Sequence, residues 1–99
     1  MAEEAPVLVH NVGCDVWATR FAAENGGEIF TFYGPAGRDL SMGPYRPGGP
    51  GTPELDESWF YHTVVVKDGK VYDQWAWAGI DIDVFKKRFD YWADMEFGF

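Results

Sequence analysis

Apolar residues recur at three- and four-residue intervals through Cys14, Trp17, Ala18, Phe21 and Ala22, the spacing that lines one face of a helix. Gly26-Gly27 supplies a stop, and Asn11 or Gly13 stands where a cap is needed, so a helix of about three turns is expected with Cys14 in its first turn. Glu28 to Tyr33 (EIFTFY) then reads as a strand by its aromatic and β-branched content. Upstream, Val7-Leu8-Val9 has the makings of a short strand, and residues 1–6 read as a frayed lead-in.

From Gly34 to about Glu57 the periodicity vanishes. That stretch holds five of the six prolines and half of the twelve glycines, so a long loop over 34–57 is expected, either a functional cover or a mobile segment. Order returns at Tyr61 to Trp77, YHTVVVKDGKVYDQWAW. β-branched and aromatic residues around Asp68-Gly69 predict a hairpin with a two-residue turn. In that register Val66 faces Val71, Val64 faces Asp73 and His62 faces Trp75, and all six side chains share one face of the sheet. Asp81 then stands as an N-cap for a last helix, in which Ile82, Phe85, Phe89 and Trp92 form the buried stripe and Lys86, Lys87 and Arg88 take the more polar side. The fold class that follows is α+β. An N-terminal helix carrying the cysteine packs on a small antiparallel sheet, and a second helix closes the chain.

At 99 residues the chain is sized for one domain spanning 1–99. An apolar share of 46% argues for a packed core. The net charge of −8 argues against a nucleic-acid backbone or an anionic membrane as the main partner. A single cysteine excludes an internal disulfide and a four-cysteine zinc site. The start, MAEEAP, has no basic or apolar region of a signal peptide.

The chemistry concentrates on that cysteine. A thiol at a helix start is placed where backbone N–H groups stabilise a thiolate. His62 is a base for it, and Asp73, diagonal to His62 across the hairpin, is placed to fix the imidazole's tautomer. The expected geometry is a Cys14 sulfur within about 3–4 Å of a His62 nitrogen. Against this stand a small buried apolar cysteine and a structural His–Asp pair at a sheet rim. A zinc site from His10, Cys14 and His62 can be assembled, but the His-x₃-Cys spacing across a helix cap is not a familiar ligand pattern. Asn11 is a candidate donor to an oxyanion as well as a helix cap, and Trp75 a candidate wall of a substrate groove as well as a core residue.

Cysteine at a helix start, then His62-Thr63-Val64-Val65, Gly69-Lys70-Val71-Tyr72-Asp73 and Gly79-Ile80 before a helix reaching Trp92, resembles the papain-fold toxin domains. These are C-terminal effector modules of bacterial polymorphic and contact-dependent toxins. The resemblance implies a minimal papain-like fold, with Cys14 as nucleophile, His62 as base and Asp73 as orienting acid. It also implies amide chemistry on a protein substrate (peptidase, glutamine deamidase or transglutaminase), without a cofactor. A cognate immunity protein is the implied partner, and delivery within a secreted toxin to the target-cell cytoplasm the implied setting. Two other classes stay open: a small acidic binding protein, such as an immunity protein for a basic toxin, and a structural domain of a larger polypeptide.

Overall fold

The structure is a computed structural model that describes residues 12–38, 40–55 and 59–99. Its element order is helix α1 (Val12–Asn25), strands β1 (Glu28–Tyr33), β2 (Tyr61–Lys67), β3 (Lys70–Tyr72) and β4 (Ile80–Asp81), and helix α2 (Ile82–Lys86), with a 3₁₀ turn at Trp92–Asp94. The four strands form one antiparallel sheet in the order β1-β2-β3-β4. The protein is therefore α+β. The anticipated strand at Val7–Val9 lies outside the described residues.

Two local signals act as the sequence predicts. Val66 pairs with Val71 and Lys67 with Lys70, which leaves Asp68 and Gly69 as a two-residue turn with φ of 54° and 79°. Positive φ at both positions is the mirror-image turn whose twist suits a hairpin. Gly26 and Gly27 end α1 at φ of 85° and 106°, a conformation that a Cβ disfavours.

The sheet has two unlike faces, because side chains alternate along each strand. On one face α1 packs against Tyr61, Thr63, Val65 and Tyr72. Trp17 stacks on Phe21 and Phe21 on Tyr72, with centroids 5.0 and 4.7 Å apart. The other face carries Phe32, His62, Val64 and Val71 into the main core, where Phe85, Phe89, Met95 and Phe97 meet them. Phe32, Phe85 and Phe89 are fully enclosed, and burying each contributes about 1.5–3 kcal/mol.

Three expectations change. Within the expected 34–57 loop, the described residues 34–38 and 40–55 form a strap rather than a free cover, since Met42 and Tyr45 sit in the core and Tyr45 bridges to Phe89. The last helix stops after Lys86. Arg46 N–H donates to Arg88 O and Asp90 N–H to Pro44 O, at 2.7 and 3.2 Å, so the strap claims backbone groups that a longer helix would use. Trp92 consequently leaves the stripe and stands 41% exposed. Asp81 sits at the N-cap position of α2 without a side-chain cap bond; its carboxylate instead takes Lys70 Nζ at 3.2 Å.

Candidate active site

β3 pairs with β2 only at Val65, Val66 and Lys67. Along Tyr61–Val64 the β3-side edge of β2 is therefore unpaired by a strand among the described residues, and His62 and Asp73 meet at this open edge. After Tyr72 the chain turns: Ala76 N–H donates to Asp73 O at 3.0 Å, and Trp75 N–H donates to Asp73 Oδ1 at 2.9 Å. This Asx-type turn ends the strand early. Trp75 thus does not pair opposite His62 on a strand, although its ring still lies 6.1 Å from the imidazole.

His62 and Asp73 are brought together. His62 Nε2 is 3.0 Å from Asp73 Oδ2, and both side chains are shut away from solvent. Phe32, its partner on β1, meets the imidazole edge-on at 5.8 Å. Trp59 stacks on it at 4.4 Å with the planes 16° apart. With Nε2–H committed to the carboxylate, Nδ1 is the ring's basic nitrogen. Among the described residues Nδ1 has no hydrogen-bond partner, a costly arrangement for a buried polar atom in a resting core.

Cys14 lies in the first turn of α1, as expected, and is 2% exposed. The backbone and hydroxyl of Thr63, the residue after His62, lie near enough to its thiol to favour the thiolate. The expected bond from Cys14 to a His62 nitrogen is not formed, since Nε2 holds Asp73 and Nδ1 has no partner among the described residues. The reason is alternation: Thr63 points to the α1 face and His62 to the opposite one, so thiol and imidazole flank the same stretch of β2 from two sides. Burial, reinforced by the neighbouring Asp15 carboxylate and opposed by the Thr63 groups, pushes the thiol up to about 11. Cys14 rests as a neutral thiol.

Asp15 has a task that its sequence position did not disclose. It accepts from Tyr61 OH at 2.8 Å and from Thr63 Oγ1 at 2.7 Å, and so pins the start of α1 to β2. At Gly13 an added Cβ would lie 2.9 Å from Gln74 Nε2, which sets the helix start against the residue following Asp73. Asn11 and His10 fall outside the described residues. No group of three histidine, cysteine or acidic side chains is disposed to hold a metal ion among the described residues.

The sequence reading missed Tyr45 and Arg88. Tyr45 OH donates to Asp73 Oδ2 at 3.0 Å, and Arg88 Nη1 donates to Tyr45 OH at 2.9 Å. Burial, followed by the Asp73 charge, pushes the Tyr45 phenol far above its ordinary range, so it stays a donor. A signal for Arg88 existed. It follows Phe85 by three residues and precedes Phe89 by one, which places it on the apolar face of the helical stripe rather than beside Lys86 and Lys87. Tyr45, set among glycines and prolines, carries no such pattern.

Comparison with protein-family models, with curated proteins and with solved structures finds no match. No helix among the described residues is long and apolar enough to cross a membrane.

Proposed function

We propose that this protein is a cysteine-dependent amide hydrolase or acyl-transfer enzyme, of the peptidase or glutamine-deamidase type, acting as a bacterial toxin effector. One observation carries the chemistry: a buried imidazole holds Asp73 through Nε2 and, among the described residues, keeps Nδ1 without a partner, while a helix-start thiol lies by the adjacent residue, Thr63. These are the residue types of a nucleophile, a base and an orienting acid, although the resting thiol and imidazole lie on opposite sides of β2.

The resting thiol is neutral, so deprotonation accompanies attack. Attack requires the edge of β2 to open to substrate and water; Cys14, released from Thr63, then gives its proton to His62 Nδ1 as sulfur bonds to the amide carbon. The imidazolium then returns that proton to the departing nitrogen, and the C–N bond breaks to leave a thioester. Water, deprotonated by the same nitrogen, cleaves the thioester and restores the thiol. Asp73 stays ionised throughout and holds the ring. The effector role, a protein substrate and a cognate immunity partner rest on the resemblance to papain-fold toxin domains.

Producing the protein inside a susceptible bacterium tests this reading. Growth arrest is expected from the parent chain and not from Cys14→Ala or His62→Ala at matched soluble levels. Arrest by the parent and by both variants would remove thiol chemistry from the account.

A second reading, an acidic binding protein, is favoured by Trp77, 72% exposed, and Tyr91, 52% exposed, on a chain of net charge −8. Such aromatics anchor interfaces, and the charge suits a basic partner. A binder of this kind keeps its affinity when Cys14 is replaced.

A further inference from the structure

The carboxylate that orients His62 is itself held by a chain of donors reaching back to a cation. Asp73 Oδ2 receives both His62 Nε2–H and Tyr45 O–H, Tyr45 receives Arg88 Nη1–H, and Asp73 Oδ1 receives the Trp75 amide. Arg88 is only 9% exposed, and Asp73 and His62 are fully enclosed. A buried carboxylate needs a counter-charge or it takes up a proton. Among the described residues two groups are within reach to supply it. One is His62, by becoming imidazolium, and the other is Arg88, acting through the Tyr45 hydroxyl.

We propose that Tyr45 and Arg88 are positioning residues of the His62–Asp73 pair. Arg88 compensates the Asp73 charge through Tyr45, so His62 is left neutral, protonated at Nε2 and basic at Nδ1. The proposal deepens the enzyme reading and rests on it for its functional meaning. In that reading an imidazolium is useless as the first base, because both ring nitrogens already carry protons. Among the described residues the other rings around the imidazole, those of Phe32, Trp59, Trp75, Phe85 and Phe89, bring no charge. The choice therefore lies with Tyr45 and Arg88. It also gives the strap a function, since its one tyrosine in the core closes the relay from the segment after α2 to β2.

The test is ¹⁵N NMR of the histidine ring in the whole protein at pH 7, for the parent chain and for Tyr45→Phe. Phenylalanine keeps the ring that packs on Trp59 and Phe89 at 5.0 and 4.7 Å and removes only the hydroxyl. The parent His62 should show one protonated and one bare nitrogen, with Nε2 the protonated one. In Tyr45→Phe the counter-charge falls to His62, and both nitrogens should appear protonated. Arg88→Met should give the same pattern; should it fail to fold, Tyr45→Phe alone decides. An unchanged nitrogen pattern in folded Tyr45→Phe overturns the proposal.

Iodoacetamide alkylation of Cys14 supplies the separate readout. Losing a hydrogen bond to a charged group implies a fall of about tenfold or more in Tyr45→Phe. A rate in the parent chain that ignores His62→Ala counts against the enzyme reading. The nitrogen pattern still decides the relay.

Discussion

His62 Nε2 stands 3.0 Å from Asp73 Oδ2 inside a core that admits no solvent to either side chain. The pair is not a loose contact at a sheet rim. Asp73 also takes Tyr45 O–H and the Trp75 amide, so its acceptor capacity is engaged by three donors from three parts of the chain.

That occupancy sets the outcome of Asp73→Asn. Asparagine can still accept from the Trp75 amide, but its NH₂ then faces two donors, Tyr45 O–H and His62 Nε2–H. Each buried group left unsatisfied costs about 1–3 kcal/mol. One such cost alone lowers the melting temperature of a domain of this size by roughly 4–24 °C, and a fall at least within that range is expected. Equal size alone therefore does not make the substitution neutral. Calorimetry of both proteins checks it, and an unchanged midpoint would show that the carboxylate is not needed as drawn.

The Cys14 thiol gives a pH-dependent signature. Its ordinary value of 9.0 rises to about 11 in the folded protein, so the native state holds this proton more tightly than the unfolded chain does. Stability from this group is fully present below about pH 9 and declines as the pH climbs through about 11. Urea unfolding of the parent chain and Cys14→Ala across that range should show a loss in the parent that the variant lacks. Parallel curves would refute the assignment.

The strap depends on one close approach. A Cβ at Gly34 would fall 2.4 Å from Met42 Cα and 2.7 Å from its Cβ, and backbone atoms cannot step aside as a flexible side chain can. Gly34→Ala should therefore push Met42 out of its place in the core. A cost of about 1–3 kcal/mol is expected, as for an overpacked core. Gly37→Ala is the control for backbone strain without a clash, since nothing lies within 4 Å of its added Cβ while its φ is +96°. Equal melting temperatures for Gly34→Ala and the parent would rule out the clash.

Local chemistry made much of this architecture legible. The Asp68-Gly69 turn, the EIFTFY strand and the glycine stop after Asn25 each follow from a few adjacent residues, and each stands in the fold as read. What escaped depends on partners distant in sequence. The last helix reads as continuous through Trp92 until the strap takes the backbone of Arg88 and Asp90. Tyr45 has no periodic neighbours to reveal that it reaches Asp73, 28 residues on. Cys14, His62 and Asp73 were each singled out from type and spacing, yet the resting thiol lies by Thr63 instead of bonding His62. Proximity along a strand is encoded by register, whereas the side from which a helix approaches is set by the whole packed face.

That last point yields the most specific test of the site. Thr63 Oγ1 joins Asp15 Oδ1 at 2.7 Å and Thr31 Oγ1 at 2.9 Å, and it is one of the groups beside the Cys14 thiol. Thr63→Val removes this hydroxyl, keeps the branched shape that suits a strand, and leaves the backbone beside the thiol in place. If the hydroxyl helps to hold the thiol away from His62, its loss frees sulfur to reach Nδ1. Iodoacetamide alkylation at pH 7 should then accelerate by about fivefold, the equivalent of one ordinary hydrogen bond. The gain should vanish in Thr63→Val/His62→Ala, because it requires the base. A gain that persists without His62 would mean that the substitution merely loosens the start of α1, which Asp15 then holds through Tyr61 alone. A rate equal to the parent's would show that Thr63 does not restrain the thiol. Hydrogen exchange at Cys14 and Asp15 separates these cases, since a loosened helix start exchanges faster whether or not the imidazole is present.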